Sequence, residues 1–573
     1  MTRRRNFKGF LFKSLLLKHS HDMISSVIKR WWPVFVIAGV ALVSFRNEDR
    51  LFEIARNLDI YATLYKELNT YYVDDVNPNQ VIKTSIDAML QSLDPYTVYY
   101  AEDDIEDFMT LTTGKYNGIG ALVNSANGKY IVMMVYEGTP AEKAGIRLGD
   151  EILKIDGVEV NERRGADSGK LLKGQTGTVV KLTVRRVGNP TPIDIEVGRD
   201  VVKMTNVPYY GMMNEEVGYI DLKDFTASSA KEVKNAYIEL KGKGMKKLIL
   251  DVRDNPGGLL DMAVQISNLF IPKGKEIVST KGKIKEWNKT YYAREIPENT
   301  EMPLIVLTSN RSASASEIVS GVIQDYDRGV LIGQRTYGKG LVQTTRDLSY
   351  GTKMKVTTAK YYIPSGRCIQ AIDYSLRNDD GSVAKIPDSL MTAFKTANGR
   401  KVFDGGGVLP DVELEHENFS PIANALGSNR LFFDYAVKYH SQHATIKPAA
   451  EFSLTDAEYK EFEKWLSGKD YDYVTQVEND LAQLEASARR EKSFNTIEGQ
   501  FKALKAKLTH SKENDLQLHK NEIKALLEEE IVKHYYLEKG FKEASFRNDR
   551  ELKAALELFK DMPRYHEILK GSR

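Results

Sequence analysis

The stretch Leu304-Ile-Val-Leu-Thr-Ser-Asn-Arg-Ser-Ala-Ser-Ala-Ser-Glu317 decides the reading of the fold. Its first five residues make a short apolar run of the kind that forms a buried strand. Helical spacing then begins at Ala315 and runs to about Asp325, and Val330-Leu-Ile-Gly333 supplies another apolar run. Strand, helix and strand in that order predict an α/β unit. Ser314 falls at the junction between the first strand and the helix. Ser314-Ala-Ser-Glu317 fits the S-x-x-E capping box, so the serine reads first as a helix cap. The same junction suits a nucleophile. A helix N-terminus favours negative charge near its free N–H groups, and the Ala315 N–H could meet an oxyanion formed at a carbonyl attacked by Ser314.

A serine nucleophile needs a base, and between Asp22 and Glu415 the chain has no histidine. Lysine is the known substitute. Lys339 follows in Tyr337-Gly-Lys-Gly340. A free lysine is neutral in only about one molecule in 2,500 at pH 7, but burial lowers its pKa by several units. Gln343 stands four residues on. In an extended stretch it would share a face with Lys339 and could hold the amine in place. A surface lysine in a glycine turn is the plain alternative.

The same strand-to-helix pattern occurs upstream. Lys247-Leu-Ile-Leu-Asp-Val252 leads into Arg253-Asp-Asn-Pro-Gly-Gly258 and a helix from Leu259 to about Leu269. Residues 201–428 thus read as one α/β core. From 113 to 200 the chain changes to short strands and many glycines. Tyr116-Asn-Gly-Ile-Gly120 precedes Ala121-Leu-Val123, and then come the strand Tyr130–Val135 and the turn-helix Gly138-Thr-Pro-Ala-Glu-Lys-Ala-Gly145. Leu148-Gly-Asp-Glu-Ile-Leu-Lys-Ile-Asp-Gly-Val158 and Val179–Arg185 follow. This order resembles a PDZ domain. The resemblance implies that the loop Tyr116, Asn117, Gly118, Ile119 and Gly120 offers backbone N–H groups to a peptide's terminal carboxylate, while the peptide adds to the sheet edge.

Length and composition set the frame. A chain of 573 residues suggests about three to five domains. A net charge of +2 argues against a nucleic-acid binder. The single cysteine, Cys368, excludes an intrachain disulfide and a cysteine-built zinc site. Residues 1–30 form a basic segment with Asp22 as its one acid, followed by the uncharged run Trp31–Phe45. Its fifteen residues read as a signal anchor, with a cleaved signal peptide as the alternative. The basic flank would stay in the cytoplasm and send the rest outward. Residues 50–112 read as a helical region, with Leu51, Ile54, Leu58 and Leu64 on an amphipathic stripe and a second helix stopping at Asp94-Pro95. Residues 429–573, rich in Lys, Glu, Ala and Leu, read as a helical domain.

Taken together, Ser314-Ala-Ser-Glu317, Gly338-Lys-Gly340, Gln343 and Asp251-x-Arg253-x-Asn255-Pro-Gly-Gly258 resemble the carboxy-terminal processing, or tail-specific, serine proteases that carry a PDZ domain. The step of 25 residues from Ser314 to Lys339, and four more to Gln343, matches that family. So do Tyr361-Tyr-Ile-Pro-Ser-Gly-Arg367 and Gly405-Gly-Gly-Val-Leu-Pro-Asp411. The resemblance spans about residues 50 to 415. It implies a multidomain α+β fold with an α/β protease core and an inserted PDZ domain, between a helical N-terminal segment and a helical C-terminal domain. It implies Ser314 as nucleophile, Lys339 as general base and Gln343 as its positioner. Ala315 with Gly257 or Gly258 would form the oxyanion hole. Ser312 and Ser316 are rival serines without the family spacing. No metal or organic cofactor is implied. Substrates would be protein or peptide chains with apolar C-terminal tails, met on the periplasmic side of a bacterial envelope, with an oligomer or an adaptor left open. The alternatives are a non-catalytic PDZ scaffold on a protease-like fold and an NTPase. The NTPase reading rests on Gly333–Gly340, a near P-loop with Gly340 where a Ser or Thr must stand.

Overall fold

Four apolar runs, Val217–Asp221, Lys247–Asp251, Leu304–Thr308 and Val330–Gly333, form the middle of a six-stranded sheet. The computed structural model describes residues 50–571 apart from 127, 161–164, 379–381, 416–417 and 509–511. The four strands run parallel, with Val412–Glu413 parallel at one edge and Tyr209–Met212 antiparallel at the other. Near-continuous apolar sequence is what strands covered on both faces require. Alternation assigns the sides. Leu248, Leu250, Leu304 and Val306 join the core under the helices Ser229–Gly242, Leu260–Asn268 and Ala315–Asp325. Ile249, Ile305 and Leu307 point the other way, onto Leu552, Leu558, Phe559 and Tyr565 of the helices Arg550–Lys560 and Met562–Lys570. The Tyr565 hydroxyl donates to the Leu304 carbonyl at 3.1 Å and accepts the Leu304 N–H at 3.0 Å.

The span read from composition as one helical domain therefore divides in its packing. Helices between Pro421 and Ser545 build a core of their own around Phe432, Tyr435, Phe462, Ile523 and Leu527. The last two helices belong to the protease sheet.

A second sheet stands beside the first. Lys353–Tyr362 pairs antiparallel with Leu341–Asp347, Glu276–Gly282 and Val98–Tyr100. Val98–Tyr100 lies in the region expected to be helical. The Asp94 turn stops the helix Pro78–Gln91, and three strand-forming residues then pair with Lys353–Lys355. Upstream, residues 50–71 are helical, and the Tyr65 hydroxyl donates to the Pro78 carbonyl at 3.1 Å. Leu51, Ile54, Leu58 and Leu64 of the expected stripe stay exposed. Among the described residues no helix is long and apolar enough to cross a membrane. The run Trp31–Phe45 lies outside them.

The glycine-rich module has the strand order Ala121–Ala126, Lys129–Val135, Glu151–Ile155, Val179–Arg185, Ile193–Gly198. Its two ends, Lys115–Gly118 and Asp200–Lys203, pair with each other as a ribbon. Phe433, from the helix Leu431–Gln442, is buried in the module's core. Gly149 lies so close that a Cβ there would be 2.4 Å from Val437.

Because Phe559 is almost fully buried against the sheet, Phe559→Ala should destabilise the protein by about 3–5 kcal/mol. Urea unfolding would show the midpoint fall with m unchanged.

Candidate active site

Ser314 closes the turn between the strand Leu304–Thr308 and the helix Ala315–Asp325, with φ 55° and ψ −112°. A non-glycine residue held there costs of order 1–3 kcal/mol and persists only where its surroundings over-determine it. They do. The Ala313 N–H reaches the Asn255 carbonyl at 3.0 Å. The Ser312 hydroxyl donates to the Val252 carbonyl at 2.7 Å, and the Ser316 hydroxyl to that of Asn255 at 3.0 Å. Both of these rival serines are fully buried and engaged with backbone. Ser314 instead lines a cleft of about 390 Å³.

Glu317, on the first turn of the helix, is fully buried. One of its oxygens accepts the Ser314 N–H at 2.7 Å and the Lys339 N–H at 2.8 Å. The other accepts the Thr336 hydroxyl at 2.5 Å and the Gly338 N–H at 2.7 Å. Burial raises the Glu317 carboxyl above its ordinary range, and the four donors act against that shift. With four donors around it, the ionised form is the one that fits. Tyr361 makes the matching bond from the other side. Its buried hydroxyl lies 3.1 Å from the Ser314 carbonyl and 2.8 Å from the Lys339 carbonyl. Two side chains thus tie the Ser314 turn to the Lys339 loop.

Lys339 lines the same cleft. Burial, helped by the like charge of Lys355, brings its amine down to about 8. The ammonium sits 4.4 Å from the centre of the Tyr96 ring. Tyr96 is placed by the Asp94 turn, in which one carboxylate oxygen accepts the N–H groups of Tyr96 and Thr97, each at 2.8 Å. Gln343 also reaches the cleft, but not as a simple face-sharing neighbour. The strand begins at Leu341, and its register shifts between Val342 and Gln343. The bulge breaks the alternation, and the Gln343 amide donates to the Thr357 hydroxyl at 3.2 Å.

The loop Asp254–Gly258 forms the opposite wall. A Cβ on Gly257 would lie 2.6 Å from the Ala313 carbonyl oxygen and 2.8 Å from the Ala315 nitrogen, so only glycine fits. The Gly257 N–H is already given to the Asn255 side chain at 2.8 Å. The N–H groups of Gly258 and Ala315 have no acceptor among the described hydrogen bonds. The structure therefore brings Ser314, Lys339, Gln343, Ala315, Gly257 and Gly258 to one cleft.

Tyr116, Asn117, Gly118, Ile119 and Gly120 lie in the separate module. The first three belong to the ribbon, while the N–H groups of Ile119 and Gly120 have no acceptor among the described bonds. Beside them Ala121–Ala126 is an edge strand, next to the helix Gly165–Leu172, with Leu122 and Leu171 exposed. A further cavity of about 410 Å³, lined by Arg147, His440, His443 and His534, lies between this module and the C-terminal helices. Its lining has no serine, threonine or cysteine, and burial brings His534 down to about 3.

Family models match this chain in three places. Peptidase family S41 matches residues 216–379, a PDZ domain 131–186, and the C-terminal helical domain of probable PDZ-proteases 422–559. The carboxy-terminal-processing protease of Bartonella bacilliformis is 35% identical over 353 residues, covering 59% of this chain and 80% of that one. The chain belongs to that peptidase family. It is also 33% identical over 326 residues to the carboxy-terminal processing protease CtpA of Bacillus subtilis, covering 56% of this chain and 69% of the relative. A solved PDZ domain of the carboxy-terminal protease from Vibrio cholerae, in complex with peptide, is 28% identical. That match has a TM-score of 0.15 and covers 16% of this chain and 99% of that one. The peptidase is serine-type, and its activity is carboxy-terminal processing of protein substrates.

Three side chains of this site were not singled out for it from sequence. Glu317 was read as a helix-capping partner, Tyr361 only as part of a matching segment, and Tyr96 not at all. Of these only Glu317 had a local signal, the capping box. Glu317→Gln would set an amide N–H against N–H donors. It should cost about 1–3 kcal/mol for each donor left unmatched, seen in urea unfolding, and abolish peptide cleavage by the folded fraction.

Proposed function

We propose that the peptidase works through a Ser314–Lys339 dyad on tails captured by its PDZ module. The observation that carries this is the half-buried Lys339 in one cleft with the strained Ser314, the backbone of both tied to one Glu317 oxygen. With a pKa of about 8, roughly one Lys339 in ten is neutral at pH 7, hundreds of times more than for a free lysine. The neutral amine takes the Ser314 proton as the hydroxyl oxygen attacks the scissile carbonyl. The oxyanion accepts the N–H groups of Ala315 and Gly258, since that of Gly257 is engaged. Collapse of the intermediate expels the amine, which takes the proton from Lys339. Water gives a proton to Lys339 as it attacks the acyl-enzyme, and Lys339 returns that proton to the departing Ser314 oxygen, which restores the hydroxyl and the neutral amine. Gln343 acts as positioner on the ground of the family resemblance, with Thr357 holding its amide. Leu259, Ile318 and Leu341 in the cleft wall suit apolar residues near the cut.

The tail's carboxylate would rest on the N–H groups of Ile119 and Gly120, and its last residues would extend the sheet at Ala121–Ala126. The envelope is the proposed location. The basic 1–30 segment and the apolar 31–45 run support an anchor with the catalytic part outside the cytoplasm.

The test is cleavage of an unfolded reporter with an apolar C-terminus by the full chain. Wild type should cut, while Ser314→Ala and Lys339→Ala should not; equal cleavage by all three would overturn the dyad. The pH dependence has a definite sign. A base must be neutral, so kcat/KM should rise with pH through about 8. Lys355→Met removes a like charge, raises the Lys339 pKa and should move that rise to higher pH. Leu122→Asp should raise KM for tailed substrates by about tenfold and leave a short untailed peptide unaffected.

A further inference from the structure

The loop that carries Gly258 runs through positive φ at three of its residues, of which only Asp254 is not glycine. Asp254, Gly257 and Gly258 have φ of 60°, 95° and 151°. The residue that leads into it, Arg253, is gripped from two sides. From the end of the preceding strand, Asp251 accepts from the Arg253 Nε at 3.0 Å and from Nη2 at 2.6 Å. From the C-terminal helices, Asp549 accepts from Nη1 at 2.9 Å and Nη2 at 2.6 Å, a two-pronged pair, and Glu551 accepts from Nη1 at 3.2 Å. Lys542 adds its charge 3.4 Å from Asp251 and 3.6 Å from Asp221. Four carboxylates and three cations (Asp221, Asp251, Asp549 and Glu551 against Lys223, Arg253 and Lys542) form one cluster at low exposure. Three of these seven groups come from the C-terminal helices.

We propose that Asp549 is a positioning residue for catalysis, with Glu551 and Lys542 in support. By fixing Arg253, the C-terminal helices hold the 254–258 loop where Gly258 meets the oxyanion. The proposal rests on the Ser314 reading above and extends it to a segment far from the cleft in sequence. Asp251 holds the Nε edge of the guanidinium and Asp549 the Nη1–Nη2 edge, and two bidentate carboxylates on different edges leave its plane a single position. The backbone directly after Arg253 is at positive φ at Asp254, whose N–H meets the Ser309 hydroxyl at 3.0 Å, so a shift at Arg253 enters the loop at its first residue.

Asp549 has a second task, and this makes the test discriminating. It is the N-cap of the helix Arg550–Lys560, accepting the Leu552 N–H at 2.9 Å. Asparagine caps as well as aspartate but cannot form the charged pair. Asp549→Asn therefore keeps the structural role and removes the positioning one. Losing one oxyanion donor costs about 100- to 1,000-fold in kcat, so a displaced donor should cost about 10- to 100-fold. KM for a short peptide should stay within about twofold, because uniform binding is untouched.

The experiment measures kcat and KM of the full chain per active site, counted by titration with a fluorophosphonate, with thermal unfolding of each variant alongside. Asp549→Asn should lose kcat at a near wild-type melting temperature, and Glu551→Gln should lose less. Full kcat per site in Asp549→Asn, with Ser314→Ala silent, would overturn this proposal and leave the Ser314 reading intact. Should Asp549→Asn fail to fold, unchanged kcat in both Glu551→Gln and Lys542→Met would overturn it instead. If Ser314→Ala cleaves like wild type, the Ser314 reading falls and this proposal with it.

Discussion

One oxygen of Glu317 accepts both the Ser314 N–H and the Lys339 N–H. Everything else about the cleft depends on that atom being there and being charged. An ionised carboxylate has only acceptors, and its four neighbours here are all donors. Bringing such a charge out of water is costly unless its hydrogen bonds are complete. Completeness in turn requires both chain segments to be in place. The same group therefore fixes the backbone on each side of the cleft, 25 residues apart in sequence. Tyr361 closes the arrangement by meeting the two carbonyls.

Around this centre the burial of apolar surface and the burial of charge do different work. The six-stranded sheet is held by ordinary packing on both faces, and its strands carry little chemistry. The cleft walls are attached to it by polar groups that have one geometry each: the Asp94 turn under Tyr96, the Asn255 side chain on Gly257, and Arg253 between Asp251 and Asp549. Such groups add little net stability, and replacing them by apolar residues is often tolerated. What they supply here is a fixed direction for a few N–H groups.

The sequence was most readable where pattern is local. The strands Leu304–Thr308 and Val330–Gly333 and the helix Ala315–Asp325 begin and end where their apolar spacing says they should. Ser314 stands at a junction because the strand and helix periods meet there. Reading failed where partners are distant. Nothing near Leu552 or Phe559 tells that, within the C-terminal helical domain, they will cover the six-stranded sheet. Val98–Tyr100 is too short for a period to be seen, and its pairing with Lys353–Lys355 is what makes it a strand. The Gln343 case is subtler. Spacing of four was right for a regular strand, and a bulge of one residue removed its meaning.

The ribbon formed by Lys115–Gly118 and Asp200–Lys203 means that the PDZ module leaves the protease core and returns to it at one place. Topologically it is a removable loop, and the strands and helices of the core connect without it. Its orientation is set elsewhere, by Phe433 lodged in its interior and Val437 against Gly149. Attachment and alignment are thus separate properties of the chain. A different module could be exchanged at the ribbon and still be aligned in the same way, provided it keeps a socket for Phe433. The module is in that sense a cassette joined at the ribbon, while the surface that receives it comes from the C-terminal helices.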